Sequence, residues 1–437
     1  MDYRFLSLFA ALFTFRYLRT IVSVFTFLLY KPKPIKEKPT FRGEDVTVII
    51  PTTFKAPGEL VRCLRSILAC APAQVFIVTA AANVALVKDL CTLNLFQEVC
   101  VLGVDRLNKR HQMLRALKEV QTSLTVCADD DVSWPEMFLD YLLAVFEDPT
   151  VGAGGSRQRV RRHSRPNAWN FLGIAYLERR AWNNISTNAI DGSISTLSGR
   201  TAAYRTDILK TDEFFHYFTH DTWLGRPLNS DDDKCLTRYV YSHGWNIALQ
   251  SDRRAVIETT MEDNSQYIAQ CIRWARAHWR GNLTVMTNET YWRSSRFWWG
   301  CYVIYAGQMQ TPAALIDGIS FWCFVSAFAG SQQFVLPACA CLGLWVLLTK
   351  TIKLLPHFLR YPEDFVFLPV SLFFSYLHGL IIVYALFTLH RTHWGSQQLE
   401  SLEAARAENE ERSPLLGGSV AEADHCSDYS GSIRGMS

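Results

Sequence analysis

The chain has 437 residues, enough for two or three domains at roughly 100–200 residues each. Hydrophobic residues make up 49%, aromatics 13% and charged residues 19%, against about 25% charged in soluble domains, which excludes a wholly disordered chain and a small disulfide-stapled fold. The 44 basic and 41 acidic residues balance to a net +3, which excludes a dedicated nucleic-acid binder, and a mean hydropathy of +0.03 conceals two opposite parts.

Residues 5–30 are mostly Phe, Leu, Val and Ile, and a bilayer span needs about 20 such residues. No small-residue cleavage site follows, so residues 1–30 are expected to be a retained anchor rather than a signal peptide. Arg16 and Arg19 sit in its middle, where each arginine costs about 2.5–3.5 kcal/mol on insertion scales. Either one helix turns both toward protein or water, or two half-length pieces lie at the interface. Polar groups inside membrane segments face protein or a water path, so Arg16 or Arg19 is expected near Asp317 or lining a path with Gln308. Lys31, Lys33, Lys36, Lys38 and Arg42 follow, and the positive-inside rule puts the next domain in the cytosol.

From Val46 to about Thr290 the pattern is that of a soluble α/β domain, giving a domain over residues 31–290. Strands are predicted at 46–51, 75–79, 99–102 and 124–127, and helices at 57–69, 83–90, 109–120 and 135–146. The alternation predicts βαβ units and a largely parallel sheet, with ligands beyond the carboxyl ends of its strands. Gly152-Ala-Gly-Gly-Ser-Arg157 only weakly resembles a phosphate loop and reads as a turn, since no Walker A is present. Arg157, Arg159, Arg161, Arg162 and Arg165 read as a solvated loop, with attraction to anionic lipid or substrate as the alternative.

From about Tyr291 the composition turns apolar, giving a C-terminal membrane region over residues 291–390. Residues 297–330 could be one span plus an interfacial helix, or a short hairpin around Pro312. Trp292, Trp298 and Trp299 cluster where an aromatic belt would sit. Residues 391–437 form a polar tail, expected to be disordered, with a possible acidic dileucine signal over residues 411–416. A cytosolic tail would need two or four spans after the cytosolic domain. The 12 cysteines show no zinc spacing and fit a reduced cytosolic domain, where the sequons at Asn184, Asn282 and Asn288 stay unmodified.

Three constellations could carry chemistry. Asp129-Asp130-Asp131 directly follows the strand LTVCA, and clustered carboxylates favour a hard divalent cation bridging to phosphate. The bland reading is an acidic turn capping the next helix. Asp231-Asp232-Asp233-Lys234 opens a second helix, where dipole compensation is the bland reading and a general base the functional one. Gln270-Cys271-Ile272-Arg273-Trp274 lies in a helix expected over 265–280. Arg273, Arg276 and Arg280 share one face of it, which could grip diphosphate or rest on a membrane surface. Lys109 and Arg110 begin the helix before the first acidic strand, as a phosphate contact or an exposed charge pair.

VTVIIP, the DxD at Asp129–Asp131, LSGRTAAYR at Leu197–Arg205, DDDKCLTR at Asp231–Arg238 and QxxRW at Gln270–Trp274 occur in this order between membrane segments. Together they resemble the family-2 membrane glycosyltransferases, hyaluronan synthases and related fungal capsule-synthase-like enzymes above all. The resemblance implies a GT-A-type, Rossmann-like cytosolic domain with transmembrane helices at both ends. It implies Mg²⁺ or Mn²⁺ on Asp129 and Asp131 and a UDP-sugar donor. It further implies Asp233 as base beside Asp232. Substrate contacts fall to Gln270, Arg273 and Trp274, and to Ser198 and Gly199 along the acceptor path. Two departures stand out. The second strand, VFIVTAAAN, lacks the acid that members usually carry there, and Arg200 departs from the SGP form of hyaluronan synthases.

The implied activity is inverting, processive synthesis of an extracellular or cell-wall polysaccharide. Its partners would be a UDP-sugar, a growing glycan and membrane lipid, at the plasma membrane with the catalyst in the cytosol. A lipid-acceptor enzyme resembling ceramide glucosyltransferase is the closest alternative, and an inactive membrane scaffold or transporter the other.

Overall fold

The computed structural model describes residues 2–330 and 332–392. The first helix, α1 (Tyr3–Leu29), is capped by Asp2, whose carboxylate accepts from the Arg4 amide at 2.9 Å. It is one unbroken helix, so the two-piece alternative does not hold. Arg16 Nε meets Asp317 Oδ1 at 3.0 Å.

The α/β domain begins with β1 (Val46–Pro51), buried along its whole length as a strand covered on both faces must be. α2 (Pro57–Leu68) starts on a proline, which needs no amide partner in a first turn. β2 (Gln74–Ala80), α3 (Val84–Leu93), β3 (Val99–Val104), α4 (Lys109–Leu117) and β4 (Leu124–Ala128) follow in the expected order. The helix expected over 135–146 is shorter, because α5 (Phe138–Leu143) passes into a 3-10 turn at Ala144–Glu147.

The turn expected at Gly152–Arg157 is instead a sheet strand, β5 (Val151–Ser156). Its glycines permit close approach. A Cβ on Gly152 would lie 2.7 Å from Ile208 Cδ1, and one on Gly154 would lie 2.6 Å from Val145 Cγ2. β6 (Gln158–Val160), α6 (Ala168–Asp191), β7 (Thr201–Arg205), α7 (Thr206–Leu209) and α8 (Asp212–Thr219) come next. A small hairpin of β8 (Thr222–Trp223) and β9 (Arg226–Pro227) precedes α9 (Asp232–Ser242), β10 (Asn246–Gln250) and β11 (Ile257–Thr259). The main sheet runs β10-β5-β7-β4-β1-β2-β3, parallel except for β7, which pairs antiparallel with β4 and β5. β6 and β11 form a second, parallel pair.

α10 (Gln266–Asn288) extends past the expected end at Arg280. α11 (Trp298–Gly300), a π-helical turn at Cys301–Ala306 and α12 (Ala313–Ala327) break residues 297–330 into short pieces. α13 (Gln332–Thr351), α14 (Leu355–Phe358) and α15 (Leu368–Leu386) complete the described chain. Tyr3–Leu29, Val335–Phe358 and Pro362–Leu386 are long and apolar enough to cross a membrane, while α12 is apolar but shorter. α10 packs along α15, with Tyr267, Cys271 and Trp279 against Phe374, Ile381 and Ala385. After α15 the Leu389 and Arg391 carbonyls accept from Arg280 at 3.4 and 3.2 Å, so the chain leaves α15 beside α10. The polar tail from residue 393, with the possible dileucine signal, lies outside the described residues.

The arginine run is not a solvated loop. Arg157 and Arg159 converge on Glu178 of α6 at 2.5 and 3.7 Å, joined by Arg360 at 2.8 Å. Arg161 pairs with Glu59, and Arg162 with Glu363 and Asp364, leaving Arg165 exposed. Burial pushes the Glu178 carboxyl up, but Arg157, Arg360 and Arg159 outweigh it and hold it below the usual range. Its stabilising contribution is therefore present above the unfolded carboxylate range and lost on acidification. Replacing Glu178 by alanine strands several cations, and leaving a buried charge unpaired costs about 3–5 kcal/mol. The thermal midpoint of the purified Glu178→Ala chain should fall by several degrees, and an unchanged midpoint would show that this cluster does not hold α6 to the sheet.

Candidate functional site

The two acidic triplets meet at the carboxyl ends of the central strands. Asp129–Asp131 leave β4, and Asp231–Asp233 open α9. Lys109 stands between them. Its Nζ lies 2.7 Å from Asp129 Oδ1 and 3.3 Å from Asp232 Oδ2. Asn108 caps α4 by accepting from the Arg110 amide at 3.0 Å, which fixes where the Lys109 side chain starts. Burial would lower the Lys109 ammonium, but Asp129 and Asp232 outweigh it and hold it above the ordinary lysine value.

The remaining carboxylates have separate partners. Asp130 accepts from Thr52 Oγ1 at 2.5 Å, and burial, with Asp129 and Asp131 adding to it, pushes its carboxyl up to about 6. Asp131 accepts from the Thr260 hydroxyl at 2.6 Å and the Thr260 amide at 3.2 Å. Asp232 is buried, which raises its carboxyl, yet Lys109 and Arg110 outweigh burial and hold it below the usual range. Asp233 shifts the other way. Burial raises it, and the neighbouring Asp232 charge raises it further. The two adjacent carboxyls are thus shifted in opposite directions, as burial and specific charge partners do at acid–base sites.

Asp129 and Asp131 offer hard carboxylate oxygens in a like-charged cluster, a donor set suited to Mg²⁺ or Mn²⁺. Among the described residues no three His, Cys, Asp or Glu side chains form a closed cage. Mg²⁺ commonly takes one or two carboxylates and completes its shell with phosphate and water, so this pair fits. A cation there would share Asp129 with Lys109.

Gly199 lies against these groups. A Cβ at that position would sit 3.3 Å from Lys109 Nζ, 3.4 Å from Asp233 Cβ and 3.6 Å from Asp232 Oδ2. Arg200 lies over the Trp274 ring at 5.5 Å, and Tyr176 of α6 stacks on the same indole at 5.0 Å. Lys234 reaches past Gly281 to Thr196 Oγ1 at 2.5 Å and His278 Nδ1 at 3.3 Å. Burial lowers its ammonium to about 8, and Lys234 is the first cause holding the His278 imidazole well below its ordinary value.

Lys109, Asp129, Asp232, Asp233 and Gly199 of the predicted set are thus brought together, and Arg200, next to Gly199 in the chain, leads on to Trp274. Arg273 sits beside the Trp274 ring at 6.0 Å, Ser198 borders an adjoining crevice with Arg180, and Gln270 Oε1 is buried without a partner among the described residues. Arg110 departs from both of its readings. It is 2% exposed, and its two terminal nitrogens donate to the Phe218 and Ser230 carbonyls and to Asp221 inside the fold. The arginine face of α10 also divides. Arg280 forms a buried ion pair with Asp231 at 2.8 Å, and Arg276 donates to Thr388 Oγ1 at 2.9 Å. Tyr176, Arg180, Arg200 and Lys234 were not predicted site residues. The i, i+4 spacing of Tyr176 and Arg180 was the available signal, and it needed the unpredicted helix α6.

A sequence model described as glycosyltransferase-like family 2 matches residues 43–277. A type 2 glycosyltransferase of Gibberella zeae is 41% identical over 407 residues, covering 90% of this chain and 76% of that protein. A hyaluronan synthase of Streptococcus pyogenes is 22% identical over 394 residues, covering 84% of this chain and 86% of that protein. The fold is shared with the mannosyltransferase PcManGT from Pyrobaculum calidifontis, solved with GDP-Man and Mn²⁺, at a TM-score of 0.56 and 19% identity over 89% of this chain and 99% of that chain.

Removing the central cation should expose the repulsion between the triplets. In Lys109→Met the facing carboxylates must hold a proton to fold, which raises their folded pKa above the unfolded one. Stability of that variant should fall progressively from about pH 4 to about pH 8, and Lys109→Arg should not show the trend. Parallel pH–stability curves for wild type and Lys109→Met would contradict the bridging role.

Proposed function

The chain belongs to the family-2 glycosyltransferases, and from that premise we propose that it is an inverting, metal-dependent membrane enzyme that moves a sugar from UDP to a growing polysaccharide. The observation that carries this reading is the convergence of both acidic triplets on Lys109 beside Gly199, with Arg200 leading on to Trp274. One triplet supplies the DxD carboxylates, and the other the base. Mg²⁺ or Mn²⁺ on Asp129 and Asp131 would neutralise charge developing on the leaving diphosphate. Divalent-metal use is supported by the Mn²⁺ in the PcManGT complex.

An acceptor hydroxyl gives its proton to the Asp233 carboxylate. Its oxygen forms the new bond to the anomeric carbon, and the bond to the diphosphate oxygen breaks with both electrons leaving on UDP. One displacement from the opposite face inverts the centre. Trp274, braced by Tyr176 and Arg200 and with Arg273 beside it, would meet the acceptor sugar. Polysaccharide as product is supported by the likeness to a hyaluronan synthase along most of the chain. A cytosol-facing cleft is supported by the lysines after α1. A lipid acceptor is the second reading, favoured by a cavity of about 460 Å³ that runs from Trp274 among the apolar helices.

Purified Asp233→Asn should lose sugar transfer by about 10²–10⁴-fold, the usual share of a general base, and still bind UDP-sugar. Near wild-type transfer would remove the base assignment. Because burial and Asp232 raise Asp233, the acid limb of kcat/KM should lie above the ordinary carboxylate range, and Asp232→Asn should move it down in whatever activity remains. Chelation should abolish transfer and added Mn²⁺ restore it, while full activity in chelator would exclude the metal.

A further inference from the structure

Lys234, the residue after Asp233, carries its charge into the fold and meets only neutral acceptors there. Its Nζ lies 2.5 Å from Thr196 Oγ1, 3.3 Å from His278 Nδ1 and 3.5 Å from the Ser195 carbonyl. Gly281 makes room for it, since a Cβ at that position would lie 2.5 Å from Lys234 Cδ.

An ammonium has three donors and no acceptor. The Lys234–His278 bond therefore runs one way, from Nζ to Nδ1, and Nδ1 carries no proton. A neutral imidazole without a proton on Nδ1 holds it on Nε2. The surroundings keep the ring neutral. Lys234 from α9 acts first against a second proton, then burial, then Arg180 from α6, His378 from α15 and Arg19 from α1. His278 is thus neither an acid nor a base in the reaction but a fixed N–H donor. Its Nε2 is neither hydrogen-bonded to the described residues nor among their shut-in polar atoms. The ring stands one turn from Trp274 on the same side of α10, where both border the cavity.

The first turn of α9 decides which substrate this N–H meets. Asp232 turns to Lys109, and through it to Asp129, the side on which metal and diphosphate would lie. Lys234 turns instead to Thr196 and His278. Asp233 comes between them in the chain, so the Nε2–H lies across the base from the leaving group, where the attacking sugar stands in a displacement from the opposite face.

We propose that His278, fixed in its Nε2–H form by Lys234, donates to an oxygen of the acceptor's terminal sugar and so selects which hydroxyl faces Asp233. This rests on the glycosyltransferase reading of the cleft and adds a specificity-determining contact, His278, with a positioning residue behind it, Lys234. When the acceptor is not held, water takes its place. The water oxygen then bonds to the anomeric carbon, its proton goes to Asp233, and the bond to the diphosphate breaks to release free sugar and UDP.

The test uses the purified full chain with Mn²⁺ and UDP-glucose, UDP-N-acetylglucosamine or UDP-glucuronate, and measures UDP released and sugar incorporated side by side. Sugar incorporated per UDP reads the acceptor, because donor, metal and base enter both quantities. His278→Phe should lower that ratio about threefold to tenfold, the share of one neutral hydrogen bond, with the donor KM unchanged. His278→Gln, which restores an N–H, should recover most of it. Lys234→Met frees Nδ1, so its ratio should fall at pH 8 and rise again as pH drops through the ordinary imidazole range near about 6.5, where a second proton restores the Nε2–H. The wild-type ratio should not change over that range. A wild-type ratio in His278→Phe, or a Lys234→Met ratio that is flat with pH, overturns the proposal. If His278→Phe does not fold, Lys234→Met decides alone. A wild-type chain that turns over none of the three donors overturns the reading of the cleft itself, and this contact with it.

Discussion

Two clusters of carboxylates have to be held at one end of one sheet, and like charges at that range resist it. Lys109 is the cation that makes the arrangement stable, reaching Asp129 on one side and Asp232 on the other. Around it the fold neutralises the rest of the acid in place. Arg280 closes on Asp231, itself in the left-handed region at φ 64°, and so ties α10 to the first turn of α9. Arg110 and Arg238 share Asp221. With those pairs formed, Asp233 is the carboxylate of the second triplet without an arginine or lysine ion pair, and burial together with Asp232 raises it. A carboxyl raised in the way the proposed base requires follows from this distribution of counter-charge.

The same pair connects the cleft to the apolar helices. Arg280 also holds the carbonyls of Leu389 and Arg391, so one guanidinium joins the α9 turn, the QxxRW helix and the chain leaving α15. On the other flank, Glu178 of α6 gathers Arg157, Arg159 and Arg360. α6 carries Tyr176 toward Trp274 and Arg180 toward Asp233, and its other residues meet α1 and the α13–α15 region through Phe27–Trp182 stacking and the Arg179 and Lys353 hydrogen bonds. Cleft and cavity are therefore walled by the same helices. Movement of α6 or α10 would alter both.

Much of this was legible because it follows from local pattern. Continuous apolar runs such as VTVIIP marked the buried strands, and the acids after LTVCA marked the sheet's functional edge. Gly199 and Trp274 could be named from motif order, and Lys109 only as a phosphate contact or exposed charge pair at the start of its helix. The failures share a cause, which is that tertiary packing decided them. β5 was hidden because Gly152 and Gly154 replace the side chains by which a strand is recognised, leaving room for Ile208 and Val145. The arginine run looked solvated because its partners, Glu178, Glu59 and Asp364, come from distant parts of the chain. Arg110 and Arg280 could not be told from substrate-binding arginines without seeing Asp221 and Asp231 already engaging them. The meeting of Arg16 with Asp317, by contrast, followed from the expense of an arginine among apolar residues.

The central claim is that Asp233 directs a single displacement at the anomeric carbon of a nucleotide sugar. Incubating the purified chain with a panel of UDP-sugars and Mn²⁺, then reading the anomeric configuration of the new linkage by proton NMR, tests it most directly. The account predicts a product with the configuration opposite to that of the donor. A product that retains the donor configuration would contradict it.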